Sequence, residues 1–150
     1  MNVSDPEVAL IAHVIQLSVA PVFLLTGVGA LLGVVTNRLG RVIDRARSVE
    51  SSWYSLDEKQ QGDATKELHI LAHRARLASW AINSYTAAAL LVCLVIATLF
   101  IDVFLGTQLK WLVGTLFILS MFALIAGLVC FLREVYHATH TLHIGPPDLD

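Results

Sequence analysis

Apolar residues run along this chain in three long blocks separated by polar stretches. The first block covers residues 8–36. The second is "INSYTAAALLVCLVIATLFI" (82–101), and the third is "WLVGTLFILSMFALIAGLVCFL" (111–132). Each is near or above the ~20 residues that an α-helix needs to cross a bilayer core. The connection "DVFLGTQLK" is short, so the second and third blocks form an antiparallel pair. The first block is longer than one crossing requires and contains Pro21, which lacks a backbone donor and kinks a helix. A tilted or kinked crossing is expected, with a more polar outer end at His13, Gln16 and Ser18. The alternative is an interfacial N-terminal helix followed by a shorter crossing.

The segment 37–81 between the first two blocks has helical periodicity of its own. Leu39, Val42, Ile43, Ala46, Val49 and Trp53 recur mostly at steps of three and four, as do Leu68, Leu71, Ala75, Ala78 and Ile82. Between them lies "YSLDEKQQGDAT", where Ser55 and Glu58 have the spacing of a capping box. The pattern predicts an antiparallel helical hairpin reaching roughly 25 Å from the membrane. The fold class is therefore all-α: an integral membrane protein forming one membrane domain over 1–150, with three transmembrane helices and a cytoplasmic hairpin between the first and second. The tail 141–150 is expected to be disordered.

Composition agrees with this. The 150 residues are 56% hydrophobic and 15% charged, less charge than a soluble domain of that length carries. The formal net charge of −2 gives no field that would attract nucleic acid. "MNVSDPEVAL" has neither a positive n-region nor a small-residue cleavage site, so no removable signal peptide is expected. Eight of the ten Lys and Arg lie between the first two blocks and Arg133 follows the third, leaving Lys110 alone in the other connection. The positive-inside rule then puts the N-terminus outside and the C-terminus in the cytoplasm of a bacterial inner membrane. Trp80, Tyr85 and Trp111 fit aromatic belts at the two interfaces.

"LLTGVGALLGVVTNRLGRVIDRAR", followed by "HRARLASWAI" leading into the second span, resembles a domain-of-unknown-function family of small bacterial membrane proteins. The likeness covers most of the chain. It implies the three-crossing arrangement and brings no activity, substrate or catalytic residue with it.

Arg38, Arg41 and Arg45 recur at i, i+3 and i+7 and share one helix face. With the hairpin in register, Arg74 and Arg76 come level with Arg41 to Arg45, and Asp44 lies at the same depth as a salt-bridge partner for Arg74, Arg41 or Arg47. Arg133 joins them from the third helix. Arg38, Arg41, Asp44, Arg45, Arg74, Arg76 and Arg133 thus form a candidate anion or lipid girdle. It can be read as a topological anchor, as a site for anionic phospholipid head groups, or as an anion or nucleotide-phosphate site for regulation or catalysis.

Other chemistry is thin. His69 and His73 lie at i, i+4; His137, His140 and His143 lie at i, i+3, i+6; Glu134 and His137 make one Glu-x-x-His. A zinc or di-iron site needs more ligands than these supply, so no metal or other cofactor is expected. Cys93 and Cys130 differ in depth by roughly 13 Å, too far for a disulfide, and read as two buried thiols. Asp102 stands at the outer interface with no acid or base beside it. No nucleophile has a supporting base, so the chain is not expected to be an enzyme.

Small residues four apart, Gly29 with Gly33, Ser84 with Ala88 and Ala123 with Gly127, are candidate helix-packing positions, within the chain or between copies. His13 and Gln16 form a candidate pore or outer-mouth face. The functional expectation is a non-enzymatic oligomeric scaffold that binds a protein partner through Trp53 and Tyr54 of the hairpin. A small homo-oligomeric ion channel lined by the first helix is the alternative, and an anionic-lipid-binding protein the second. The orientation is tested by thiol labelling. A cysteine at Lys59 should resist a membrane-impermeant reagent in intact cells while one at Gln108 reacts; the opposite pattern would invert the topology.

Overall fold

The structure, a computed structural model, describes residues 6–106 and 109–140. It contains three long helices: α1 (Pro6–Ser52), α2 (Glu58–Leu105) and α3 (Lys110–His140). All three are long and apolar enough to cross a membrane. At 1.5 Å per residue, the 47-residue α1 and 48-residue α2 are each roughly 70 Å long, more than twice a ~30 Å hydrocarbon core. Each hairpin arm is expected to be continuous with the apolar block beside it, and each forms one helix with that block. The first runs unbroken through Pro21. The expected tail, 141–150, lies outside the described residues.

Three short devices set the helix ends. The expected capping box is shifted by two residues. Ser55 Oγ donates to the Ser52 carbonyl, while the amide of Asp57 donates to Gln60 Oε1 at 3.1 Å. Asp57 therefore starts α2, and its carbonyl accepts the first helical bond from Gln61. A one-turn 3₁₀ helix, Trp53–Ser55, and the extended Leu56 complete the reversal. At the other end of α2, Gly106 takes φ 62°, the left-handed conformation that ends helices and costs a glycine little. Asp102, expected to stand alone, accepts a 2.9 Å bond from the Leu109 amide and so ties α2 to the start of α3.

The chain divides into two compact units. The first comprises residues up to Gly33 and Asn83–Ala126. Its buried positions are Val14, Ser18, Pro21 and Val28 of α1, Tyr85, Ala88, Val92, Val95 and Thr98 of α2, and Ser120 of α3. The buried serine and threonine hydroxyls turn back onto their own helices: Ser18 to the Val14 carbonyl, Thr98 to Leu94 and Ser120 to Phe117, each at 2.7 Å. That satisfies them without a cross-helix partner. The outer surface is strongly apolar, with Phe23, Leu90, Phe104, Trp111 and Phe122 all exposed. Such a surface suits contact with a lipid bilayer. Cys93 belongs to this exposed surface and Cys130 is half-buried, so the expectation of two buried thiols fails for Cys93.

The second unit comprises Val34–Ile82 and the α3 residues from Gly127 onward. Its buried positions are Val35 and Val42 of α1, Ala64, Leu71, Ala78 and Ala81 of α2, and Gly127 and Glu134 of α3. Within this unit buried residues recur every seven: Val35 and Val42; Ala64, Leu71 and Ala78; Gly127 and Glu134. A seven-residue spacing of buried positions keeps one face of each helix in a shared seam. The hydrophobic stripes read from the sequence coincide with this seam except at Ile43, which is exposed.

Candidate functional site

In the second unit the α3 seam series ends on a carboxylate. Glu134 falls seven residues after Gly127 and is 1% exposed. The matching positions on α1 and α2 are arginines. Arg38 sits between Val35 and Val42 on the buried stripe, and Arg74 between Leu71 and Ala78. The heptad spacing thus delivers one acid and two bases into one layer of a three-helix seam.

The geometry is a clamp. Arg74 donates to Glu134 Oε1 from both Nε at 3.2 Å and Nη2 at 2.9 Å. Arg38 Nε lies 3.1 Å from Oε2, an ion-pair distance, but its N–H is not aligned for a hydrogen bond. One oxygen is therefore doubly hydrogen-bonded and the other is held electrostatically. The Arg38 guanidinium also lies 5.6 Å from the centroid of the Phe131 ring, one turn before Glu134. This is cation–π distance, so α3 grips Arg38 by a carboxylate and an aromatic face together. Both arginine side chains are about three-quarters buried, at 26% and 22% exposure. An unpaired carboxylate at this depth would carry a desolvation penalty of several kcal/mol, which two guanidiniums offset.

A second ion pair lies further toward the turn between α1 and α2. Arg45 Nε donates to Glu67 Oε1 at 2.7 Å. The hydrogen bond to Glu67, and then its negative charge, raise the Arg45 pKa above its ordinary value. This pair is well exposed, so its contribution to stability is small.

The girdle residues divide accordingly. Arg38, Arg41, Arg45 and Arg74 surround one cleft of about 160 Å³, floored by Val42 and Leu71. Asp44 is exposed and forms no ion pair among the described residues. The partner expected for Arg74 is corrected: it is Glu134, 60 residues further along the chain. Arg76 lies on another face of α2 beside His69 and His73, and Arg133 is exposed on α3. Glu134 is thus engaged with arginines. The side chain of His137 and the residues after His140 lie outside the described set, and no group of three or more metal-ligating side chains occurs among the described residues.

The remaining candidates are dispersed. His13 and Gln16 are exposed on α1. Ala88 and Gly127 are buried, whereas Ser84 and Ala123 are half-buried. Gly29 and Gly33 are exposed, and a Cβ added at either would meet nothing within 4 Å. Among the described residues, then, these two glycines mediate no close helix approach. Trp53 is half-buried in the turn, and Tyr54 is 97% exposed.

Sequence reasoning missed the clamp because it paired charges by local register. One signal was available: Glu134 is the only acidic residue in α3, and it continues the series Ser120, Gly127. Removing it alone should be costly. We expect Glu134→Gln to destabilise the protein by about 3–5 kcal/mol, since two half-buried guanidiniums lose their counter-charge. Glu67→Gln should be nearly silent. Melting in detergent measures both; equal effects would reduce the clamp to an ordinary surface pair.

Searches among characterised proteins and among solved structures found no match. The family model described as "Protein of unknown function (DUF2721)" matches residues 18–144, which include the clamp and both hairpin arms, and the chain belongs to that family.

Proposed function

We propose that this is a bacterial inner-membrane protein, N-terminus outside and C-terminus in the cytoplasm, that works without catalysis as an oligomeric scaffold. Its cytoplasmic hairpin would present a binding surface to a protein partner. The observation that carries this reading is the hairpin turn. Tyr54 stands 97% exposed on a reversal whose backbone is pinned at Leu56, Asp57 and Gln61. A rigid, exposed aromatic is the side chain most enriched at the centres of protein interfaces. Behind it an open groove of about 370 Å³ runs between the arms, bordered by Val49, Leu56 and Ala64 with polar walls. The clamp supports the arms that carry this surface.

A second reading, a homo-oligomeric channel lined by α1, draws on a separate observation. His13, Gln16 and Gly27 share an exposed side of α1, and Gly29 and Gly33 are open to a neighbour. A ring of copies with α1 on its axis, seen in nanodiscs, would favour it.

A photo-crosslinking amino acid at Tyr54 separates the two readings. For the scaffold we expect a defined adduct with a second protein in the native host, absent when the same group replaces Phe122 on the apolar surface. Crosslinks at residue 54 confined to lipid, or none at all, would remove the scaffold reading.

A further inference from the structure

The cleft between the hairpin arms holds more positive charge than the protein neutralises. Arg38, Arg41, Arg45 and Arg74 all line it. Arg38 and Arg74 share the single carboxylate of Glu134, and Arg45 has Glu67. Four guanidiniums against two carboxylates leave two positive charges unmatched. Arg41 has no acidic partner within 4 Å among the described residues. Asp44, the nearest acid along α1, does not line the cleft.

The walls also carry order. Arg38 and Arg74 are fixed from behind by Glu134 and Phe131, so their guanidinium planes are positioned before any ligand arrives. Val42 and Leu71 form an apolar floor that lowers the local dielectric and strengthens an ionic contact. A cavity of about 160 Å³ takes a tetrahedral anion with its water. Planar, forked donors arranged around a small pocket suit the oxygens of a phosphate group.

We propose that this cleft is a binding site for a phosphate group, with Arg41 as the principal free donor, Arg45 assisting, and Arg38 and Arg74 held as positioning residues. The phosphate can belong to an anionic lipid head group or to a small soluble anion. The lipid source rests on the membrane placement proposed above; the chemistry of the cleft does not.

The test uses the full-length protein, stripped of lipid in neutral detergent. Phosphatidylglycerol, phosphatidylcholine and inorganic phosphate are the probes, and native mass spectrometry with thermal melting is the readout. Binding of phosphatidylglycerol without inorganic phosphate or phosphatidylcholine assigns a lipid head group. Stabilisation by inorganic phosphate as well assigns a general phosphate site. In either case Arg41→Gln should weaken binding about tenfold, the weight of one charge-assisted hydrogen bond. Arg47→Gln, the same charge change six residues along α1 and outside the cleft, should leave binding unchanged. Arg41 has no ion pair to lose, so its variant should melt like the parent without ligand. Equal weakening by both variants would show diffuse charge attraction and overturn the site, as would failure of both anionic probes to bind.

Discussion

A carboxylate buried in a helix seam has to be neutralised where it lies, and in this protein that constraint organises one of its two units. Glu134 reaches the core because it falls in the seven-residue register of α3, after Ser120 and Gly127. Arg38 and Arg74 fall in the equivalent layers of α1 and α2 and turn inward to meet it. A layer of this kind gains little stability over an apolar one, because desolvation consumes most of the Coulomb attraction. Its effect is on arrangement. Shifting α3 by one residue would move Glu134 out of the seam and leave both guanidiniums without a carboxylate. The charged layer therefore selects the register in which three helices meet, a role for which buried polar groups in helical seams are best attested.

The two units meet the cost of buried polarity in different ways. In the first, the buried serine and threonine hydroxyls bond to carbonyls of their own helix, and the surface is strongly apolar and suited to lipid. In the second, the buried polarity is ionic and passes between helices, through Glu134 with two arginines. Self-contained hydroxyls tolerate an environment without water, whereas cross-helix ion pairs tie particular helices together. The difference is also what makes the second unit chemically capable. There Arg38, Arg41, Arg45 and Arg74 converge on one cleft.

The helices were legible in the sequence because a period near 3.6 over dozens of residues survives any single exception. Spacing put seven charged residues in one candidate girdle, but it does not say which of them share a cleft; Arg38, Arg41, Arg45 and Arg74 line one, and Asp44, Arg76 and Arg133 do not. The partner of Arg74 was not legible from local spacing. Asp44 lies level with it, but Glu134 comes from a helix 60 residues away, and only the packing of α3 into the hairpin brings it there. Gly29 and Gly33 mark the opposite limit. Their spacing permits close approach, but the pattern does not say whose helix approaches, and within this chain none does. The cap read at Ser55 and Glu58 instead forms at Asp57, whose amide donates to Gln60, because several polar residues of this stretch have the spacing a helix start needs.

Whether Glu134 couples the helices, or merely sits between them, is decided by a double-mutant cycle on Arg74 and Glu134. Arg74→Met, Glu134→Gln and the double variant would be unfolded by detergent titration alongside the parent. A working clamp gives a coupling energy of about 1–3 kcal/mol, with the double variant more stable than the sum of the single losses implies. Additive losses, with coupling near zero, would contradict the account: the two side chains would then contribute independently, and the charged layer would not hold the three helices in register.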